Sequence, residues 1–403
     1  MKYKPDQIQT HEIKDATLEK GKFSKKVVHV AAGAPDEDDD TGSGFEQGTM
    51  WLDTTNGDMY ICTDHSAEDA SWANMEGDDI NPPFTIQGSN YGYSCGHFMD
   101  PGSPNYPGNI DRYALSSSGD GSDVGELGTA VRETVSGSIR NDSYGYCTGG
   151  SESPPNVSKD LIQRFTLAAP TTVVDIGETT RGWSYAAGAT NGDHGFVYSG
   201  KEYGSPSTAV TTIDKFALAA PPVTASDSGM EITTELERGT GTSDTANAYG
   251  YLMGGVNADS SAAWPPSGGT LTTIERFSFA GSGAASDYSE MTNDTLMSVG
   301  TASITHGYVA GGAARPPYTD INVVEKFGFS APTTIDDVGD LTSARSGIQG
   351  ASGDTHAYHA GGADWGPSAS VNIIDRSSTS ADGNSADVGD LSEIGASGSG
   401  FES

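Results

Sequence analysis

A sequence unit of about fifty residues recurs six times between Tyr91 and the C-terminus, and no other feature constrains the fold as strongly. Each unit opens with an aromatic or His, a small residue and an aromatic: Tyr91-Gly92-Tyr93, Tyr144-Gly145-Tyr146, His194-Gly195-Phe196, Tyr249-Gly250-Tyr251, His306-Gly307-Tyr308 and His356-Ala357-Tyr358. Four openings run to a Gly pair: Gly149-Gly150, Gly254-Gly255, Gly311-Gly312 and Gly361-Gly362. About a dozen residues later each unit has a tetrad that begins with an aliphatic residue and carries a base at its third position. The six are Ile110–Tyr113, Ile162–Phe165, Ile213–Phe216, Ile274–Phe277, Val324–Phe327 and Ile374–Ser377. An acidic turn with a Gly follows, such as Asp123–Leu127 or Asp337–Leu341, and often an Arg: Arg132, Arg181, Arg238 and Arg345. A fixed period of this size signals a solenoid, a propeller or an array.

Side chains alternate faces along a strand, so the first and fourth tetrad residues point to opposite sides. Apolar residues on both faces suit a sheet covered on both faces, whereas a half-solvated sheet favours simple alternation. Frequent Gly, Pro and β-branched residues, with no long 3.6-residue period, argue against helix. Four short strands with their turns fit each unit and match one propeller blade. Within the tetrad, the third-position base is expected to meet an acid or a turn carbonyl of the adjacent unit.

The units resemble kelch repeats. The family's blade has an apolar strand ending in Gly-Gly, a strand with an aromatic after a hydrophobic residue, and then a Leu and an Arg. His306–Asp354 has all three, in Tyr308–Gly312, in Val324–Phe327, and in Leu341 followed by Arg345. Units one and three lack the full Gly pair, unit six has Ser377 where the aromatic belongs, and units four and six lack the Arg. The resemblance covers Tyr91–Ser403 and implies a six-bladed β-propeller. It carries over no active site, because propellers host many unrelated functions. Phe84–Asn90 precedes the first opening much as 347–352 precedes the sixth, and is expected to supply a displaced fourth strand. Gly395–Phe401 is expected to contribute to the same blade, so that closure removes exposed sheet edges.

The chain upstream differs. Met1–Lys26 carries seven of the 21 basic residues, all Lys, against four acids. It lacks the apolar run of a secretory signal, and no stretch is long and apolar enough to predict a membrane span. Pro35–Glu46 is acidic and Gly-rich and reads as a linker or exposed loop. Two β-like runs then flank Asn56-Gly57, a strong hairpin signal. The pattern from Gly48 through Trp51, Asp53, Thr54, Tyr60, Cys62 and Asp64, followed by Trp72, resembles a small β-module common in tailed-phage virion proteins. The expected organisation is therefore an attachment segment and acidic linker over 1–46, a β-module over 47–80, and the all-β propeller over 81–403.

The formal net charge is −34. Such a field disfavours nucleic acid and anionic membranes as partners. Cys62, Cys95 and Cys147 are odd in number and far apart in sequence, which gives no disulfide framework and fits folding in a reducing host cytoplasm. No nucleotide-binding loop, His-Glu-x-x-His motif or zinc-ligand Cys spacing occurs, so no catalytic residue, cofactor or metal is expected. His194, His306 and His356 share the opening position with Tyr91, Tyr144 and Tyr249, which makes a flat polar ring the requirement there rather than a metal. The turns Asp120–Asp123 and Asp382–Ser385 offer hard oxygen ligands but lack a calcium-binding loop, and read as solvated turns.

The loops after the Gly pairs vary in length and carry aromatics beside prolines. Tyr106, Tyr203, Trp264, Tyr318 and Trp365 are the candidate binding residues, on loops expected to share one face. The reading is a non-enzymatic virion structural protein, a tail, collar or head fibre component. Other virion proteins are its partners through the N-terminal segment. A host-surface glycan or protein is a further partner, and a homo-oligomer is compatible with this role. A secreted carbohydrate-binding or carbohydrate-active propeller is the alternative; a signal peptide and clustered catalytic acids would favour it. A cellular kelch adaptor is a third reading, disfavoured by the phage-like module and the acidity.

Overall fold

The computed structural model describes residues 28–55, 57–67, 70–74, 84–97, 108–152, 157–169, 173–203, 208–218, 221–257, 269–281, 283–314, 319–330, 335–364 and 369–403. These residues are all-β, with no helix among them. They fall into two compact units, Met1–Pro83 and Phe84–Ser403.

In the first unit, Met50–Asp53 and Met59–Asp64 form the expected hairpin, with Trp51 opposite Tyr60. Ser71–Asn74 extends it on one side, and Val28–Ala31 pairs in parallel with Met50–Asp53 on the other. The 35–46 segment is no simple exposed loop. Phe45 is buried with Trp51, Tyr60, Cys62 and Trp72, and the Trp72 indole donates to the Asp39 carbonyl at 3.2 Å. The aromatic side chains thus recruit the acidic turns into the core of this small sheet, which has little other apolar surface to bury.

Among the described residues the second unit contains six sheets of four or five strands, one for each sequence repeat, and four small two-stranded ones. Five are antiparallel four-stranded meanders of the same order. The third is Ala187–Thr190, His194–Tyr198, Thr212–Ala217 and Ser226–Glu231; the fourth, Thr240–Asp244, Tyr249–Met253, Thr273–Ser278 and Ser286–Glu290. The fifth is Val299–Ala302, His306–Ala310, Val323–Gly328 and Asp336–Asp340; the sixth, Gln349–Ser352, His356–Ala360, Ile373–Ser378 and Ala386–Asp390. The first sheet is assembled from both ends of the unit, as Ser399–Glu402, Tyr91–Cys95, Asn109–Ala114 and Ser122–Glu126. In the second sheet, Tyr144–Thr148, Val157–Thr166 and Val173–Trp183 keep this order, with two register shifts between the last two and Val223–Thr224 added in parallel at the edge, and the place of an innermost strand is taken by a segment that bridges at Arg140 to Gly145.

The tetrad works as its period implies, with both apolar residues buried: Ile110 with Tyr113, Ile162 with Phe165, Ile213 with Phe216. Its aromatic lies directly over the small residue of the opening strand. A Cβ on Gly250 would come 2.3 Å from Phe277 Cζ, and one on Gly307 equally close to Phe327. The sixth unit departs from this pattern at both positions together. Ala357 stands opposite Ser377, so the methyl group occupies space that the missing ring vacates.

The ion-pair expectation needs correction. It is the second tetrad residue, not the base, that is buried and joins neighbouring units. Asp214 accepts from the Thr180 amide and hydroxyl and from the Trp183 indole. Asp375 does the same for Thr342 and pairs with the fully buried Arg345 at 2.9 Å. Asp111 holds Ser392. Each carboxylate thereby pins the connection that arrives from the preceding sheet. The bases instead lie over the ring that opens their own unit: Arg112 over Tyr91, Arg164 over Tyr144 and Arg276 over Tyr249, each within 4.4 Å of the ring centroid. Lys326 does reach an acid of the adjacent sheet, the exposed Asp382. A short acidic side chain can fold back under a passing loop, whereas a long base keeps its head wet while its stem covers an aromatic.

Phe84–Asn90 is not a fourth strand of the first sheet; the C-terminal strand takes that place. Ile86 packs with Tyr251, Met253 and Ala302, Gln87 donates to the Ala302 carbonyl, and Gly88 bridges to Gly353. The segment therefore crosses the ends of several inner strands. The Asp120–Asp123 and Asp382–Ser385 turns are not merely solvated. Asp120 accepts from the Asp390 amide, and Gly383 donates to the Val338 carbonyl, stitching each turn to the sheet before it.

Candidate functional site where the inner strands converge

Glycine is the second residue of the inner strand in five sheets, at Gly188, Gly241, Gly300, Gly350 and Gly400. The strands approach so closely that a Cβ on Gly241 would lie 2.1 Å from the Gly188 carbonyl oxygen, and one on Gly400 equally close to that of Gly350. Gly300 meets Gly241 in the same way at 2.4 Å. No larger residue permits this convergence.

Just before each inner segment the backbone turns through the left-handed region: Glu133, Tyr185, Arg238, Met297, Gly347 and Ser397, with φ between 53° and 67°. Five of these six are not glycine, and each such residue costs of order 1 kcal/mol. Their amides and carbonyls link in succession. Tyr185 N donates to Glu133 O, Arg238 N to Tyr185 O, Met297 N to Arg238 O, Gly347 N to Met297 O and Ser397 N to Gly347 O, at 2.7–3.0 Å. They surround a cavity of about 30 Å³ lined by residues of all six units, among them Thr134, Ala186, Gly239, Ser298, Ile348 and Gly398. That volume accommodates about one water molecule, far below the roughly 300 Å³ of a typical small-molecule site.

Beside this cavity lies a compact group of charged and aromatic side chains. The Tyr185 hydroxyl donates to Glu133 Oε1 at 2.7 Å, and the Ser151 hydroxyl to Oε2. Arg238 lies over the Tyr185 ring, 4.3 Å from its centroid, and pairs with Glu237. Lys201 also pairs with Glu237, at 2.8 Å, between the rings of Tyr185 and Tyr203. Burial, then the Glu133 charge, pushes both phenols well above their ordinary range, so they are hydroxyl donors at any physiological pH. Burial, then the Arg238 charge, lowers the Lys201 ammonium. The group can present hydroxyls, a carboxylate and ring faces to a ligand. Its acids and bases are largely neutralised internally, in contrast to the acidic exterior.

Of the five sequence-predicted binding residues, the structure places Tyr203 in this group, with its amide held by Ser158 Oγ at 2.8 Å. Tyr106, Trp264, Tyr318 and Trp365 lie outside the described residues. The bases of their loops adjoin the same surroundings. The residues that follow the Gly pairs bridge back to the segments preceding the inner strands, as at Arg132–Ser151, Ser184–Lys201, Leu296–Ala313 and Ser346–Ala363. Glu133, Tyr185, Lys201 and Glu237 escape a reading based on shared motifs, because their positions are not held constant from repeat to repeat, and Arg238 stood out only as one of the recurring arginines. The usable signal was positional, a few residues before the inner-strand Gly. Among the described residues no group of three or more His, Cys, Asp or Glu is placed to hold a metal ion. His306 and His356, in different sheets, each share a hydrogen bond with the preceding Thr.

A scan against models of known protein families finds no match, and a comparison with curated proteins finds no similar chain.

Proposed function

We propose that Phe84–Ser403 is a six-bladed, kelch-like β-propeller and that the chain is a structural protein of a tailed-phage virion, a fibre or appendage component that displays the propeller outward. The observation that carries the architecture is the pairing of Ser399–Glu402 with Tyr91–Cys95. Ser399–Glu402 completes the first of six sheets, five of them like-ordered, whose inner segments line one cavity, as propeller closure requires. The virion reading rests on the first unit, whose Trp51, Tyr60 and Trp72 core suits the module resemblance, and on the charge contrast between Met1–Lys26 and the rest of the chain. Met1–Lys26, which lies outside the described residues, is the segment that docks to an acidic virion partner through its seven Lys. The loop face bearing Tyr203 carries any adhesion to a neutral host glycan or a basic protein surface, since large aromatics dominate such interfaces.

Mass spectrometry of purified particles with antibody labelling tests the assignment; absence of the chain from particles overturns it. Deleting Met1–Lys26 should leave a folded, soluble protein that no longer enters particles, and normal incorporation refutes that role. Trp264→Ala with Trp365→Ala should weaken adsorption to host cells without lowering the melting temperature. Unchanged adsorption leaves a purely structural role.

A further inference from the structure

The three cysteines are remote in sequence, yet two of them meet in space. In each opening strand the third and fifth residues face the following sheet: the Tyr93 hydroxyl reaches the Leu167 carbonyl and that of Tyr198 reaches Tyr251. The fourth residue faces the preceding sheet. Cys95 is the fifth residue of its strand and Cys147 the fourth residue of the next sheet's strand. The equivalent contacts elsewhere bring together Tyr198 with Leu252 and Met253 with Val309. Between the first and second sheets the same contact is made by two thiols.

Both are almost completely buried, in one cluster with Tyr93, Ile110, Val131, Phe165 and Phe401. Both are reduced. Cys147 Sγ lies 3.2 Å from where a Cβ on Gly96, the neighbour of Cys95, would stand. Burial, and then the Cys147 thiol against it, pushes the Cys95 thiol well above its ordinary range. Cys95 is therefore held as the thiol, and burial shields both sulfurs from bulky reagents. Only Cys62 remains, in the other compact unit.

We propose that Cys95 and Cys147 form a latent disulfide, closed by a small two-electron oxidant of the peroxide class to give a covalent link between the first and second sheets. One sulfur, as its thiolate, attacks a peroxide oxygen. The O–O bond breaks, the departing oxygen takes up the proton as water, and a sulfenic acid remains. The second sulfur attacks the sulfenic sulfur, the S–S bond forms, the S–O bond breaks, and a second water leaves with the remaining thiol proton. Two thiols and one hydrogen peroxide give one disulfide and two waters. A water-sized oxidant suits a site that larger disulfide reagents reach only through opening of the sheet interface.

The experiment treats the full-length protein with hydrogen peroxide, quenches it, unfolds it in N-ethylmaleimide and digests it at acidic residues, which separate Cys62 from Cys95 and Cys95 from Cys147. Non-reducing mass spectrometry should show a Cys95–Cys147 linked peptide pair that dithiothreitol releases, with Cys62 outside that link. The oxidised protein should melt several degrees higher than the reduced one, because the link restricts the unfolded chain. Cys147→Val, with the residue found at the equivalent place in the third and fifth sheets, should abolish both changes. Cys62→Ser should abolish neither. Recovery of Cys95 and Cys147 as alkylated thiols, as sulfinic or sulfonic acids, or linked to Cys62 overturns the proposal.

Discussion

Replacing Arg140 by Met tests how the two ends of the second unit are held together. Arg140 is buried, and its Nε donates to Glu402 Oε1 at 3.0 Å. Its Nη2 donates to the carbonyls of Thr85 and Gln87, at 2.7 and 3.0 Å. Glu402 also accepts from the Ser138 hydroxyl and the Ser352 amide. One guanidinium–carboxylate pair thus joins the entering segment, the last strand, and the inner segments of the second and sixth sheets. Removing the base leaves a buried carboxylate without its counter-charge, which costs about 3–5 kcal/mol. Unfolding entropy is roughly 2.1 cal/mol/K per residue, or about 0.7 kcal/mol/K for a unit of this size, so the melting temperature should fall by about 4–7 °C. Glu402→Gln keeps the shape but leaves Arg140 without its counter-charge and should cost a comparable amount, and adding it to Arg140→Met should recover most of the loss.

The pH dependence follows from the direction of the Glu402 shift. Burial already raises its carboxyl above the ordinary 4.5, with Arg140 the leading opposing influence. Without Arg140 it rises further. A carboxyl raised in the folded state favours folding below its unfolded value and loses that contribution as pH rises through the folded one. The deficit of Arg140→Met relative to the parent should therefore be largest above neutrality and narrow as pH falls toward 4.5. Differential scanning calorimetry of parent, both single variants and the double variant at pH 7.5 and 5 reads all of this. A deficit that widens in acid refutes the buried-charge reasoning. A double variant no better than Arg140→Met assigns the loss to the Thr85 and Gln87 carbonyls instead.

Three further outcomes are expected. Gly250→Ala should destabilise the protein by about 1–3 kcal/mol through overpacking against Phe277 and should become neutral in a Phe277→Ser background, which a double-mutant cycle in urea will measure. Burial lowers the His359 imidazole to about 3 from 6.5, so it contributes stability above 6.5 that is lost as pH falls toward 3. His359→Val should therefore remove about 2 kcal/mol of the decline between pH 7 and pH 5, seen as a shallower drop in melting temperature. Asp214→Ala, which strands the Trp183 indole and the Thr180 amide and hydroxyl, should cost about 2–4 kcal/mol, read as a lower urea midpoint at unchanged slope.

The strands and their repeat were legible because each unit states them six times over, and a residue such as Ile274 or Phe277 announces its burial through period and type. What escaped were relations between units. Nothing local to Asp111 says that it will hold Ser392, from the far end of the unit, because that contact arises when the last strand joins the first sheet. The Gly188 and Gly241 positions lie in Gly-rich stretches that look like turns, and only the convergence of inner strands makes a missing Cβ necessary. Cys95 and Cys147 seemed remote because sequence separation says little about two sheets packed face to face. The sixth unit's two anomalies were visible separately, but only the cross-strand register joins Ala357 to Ser377. At the candidate site, Tyr203 was found through its loop and Arg238 was visible as a recurring Arg, while Glu133 and Tyr185 were hidden by the variety that marks a position freed from the repeat.

The placement of Ser399–Glu402 has a consequence for how the protein is made. A ribosome delivers the fifth and sixth sheets before the first sheet has its inner strand, so the growing chain carries an unpaired edge at Tyr91–Cys95 until Ser399–Glu402 has been made. A chain that stops short of Ser399 would leave that edge permanently bare and Arg140 without the Glu402 carboxylate. Such a product is both unstable and prone to pair with other chains. Addition of this one strand thus withdraws the chain's own adhesive edge.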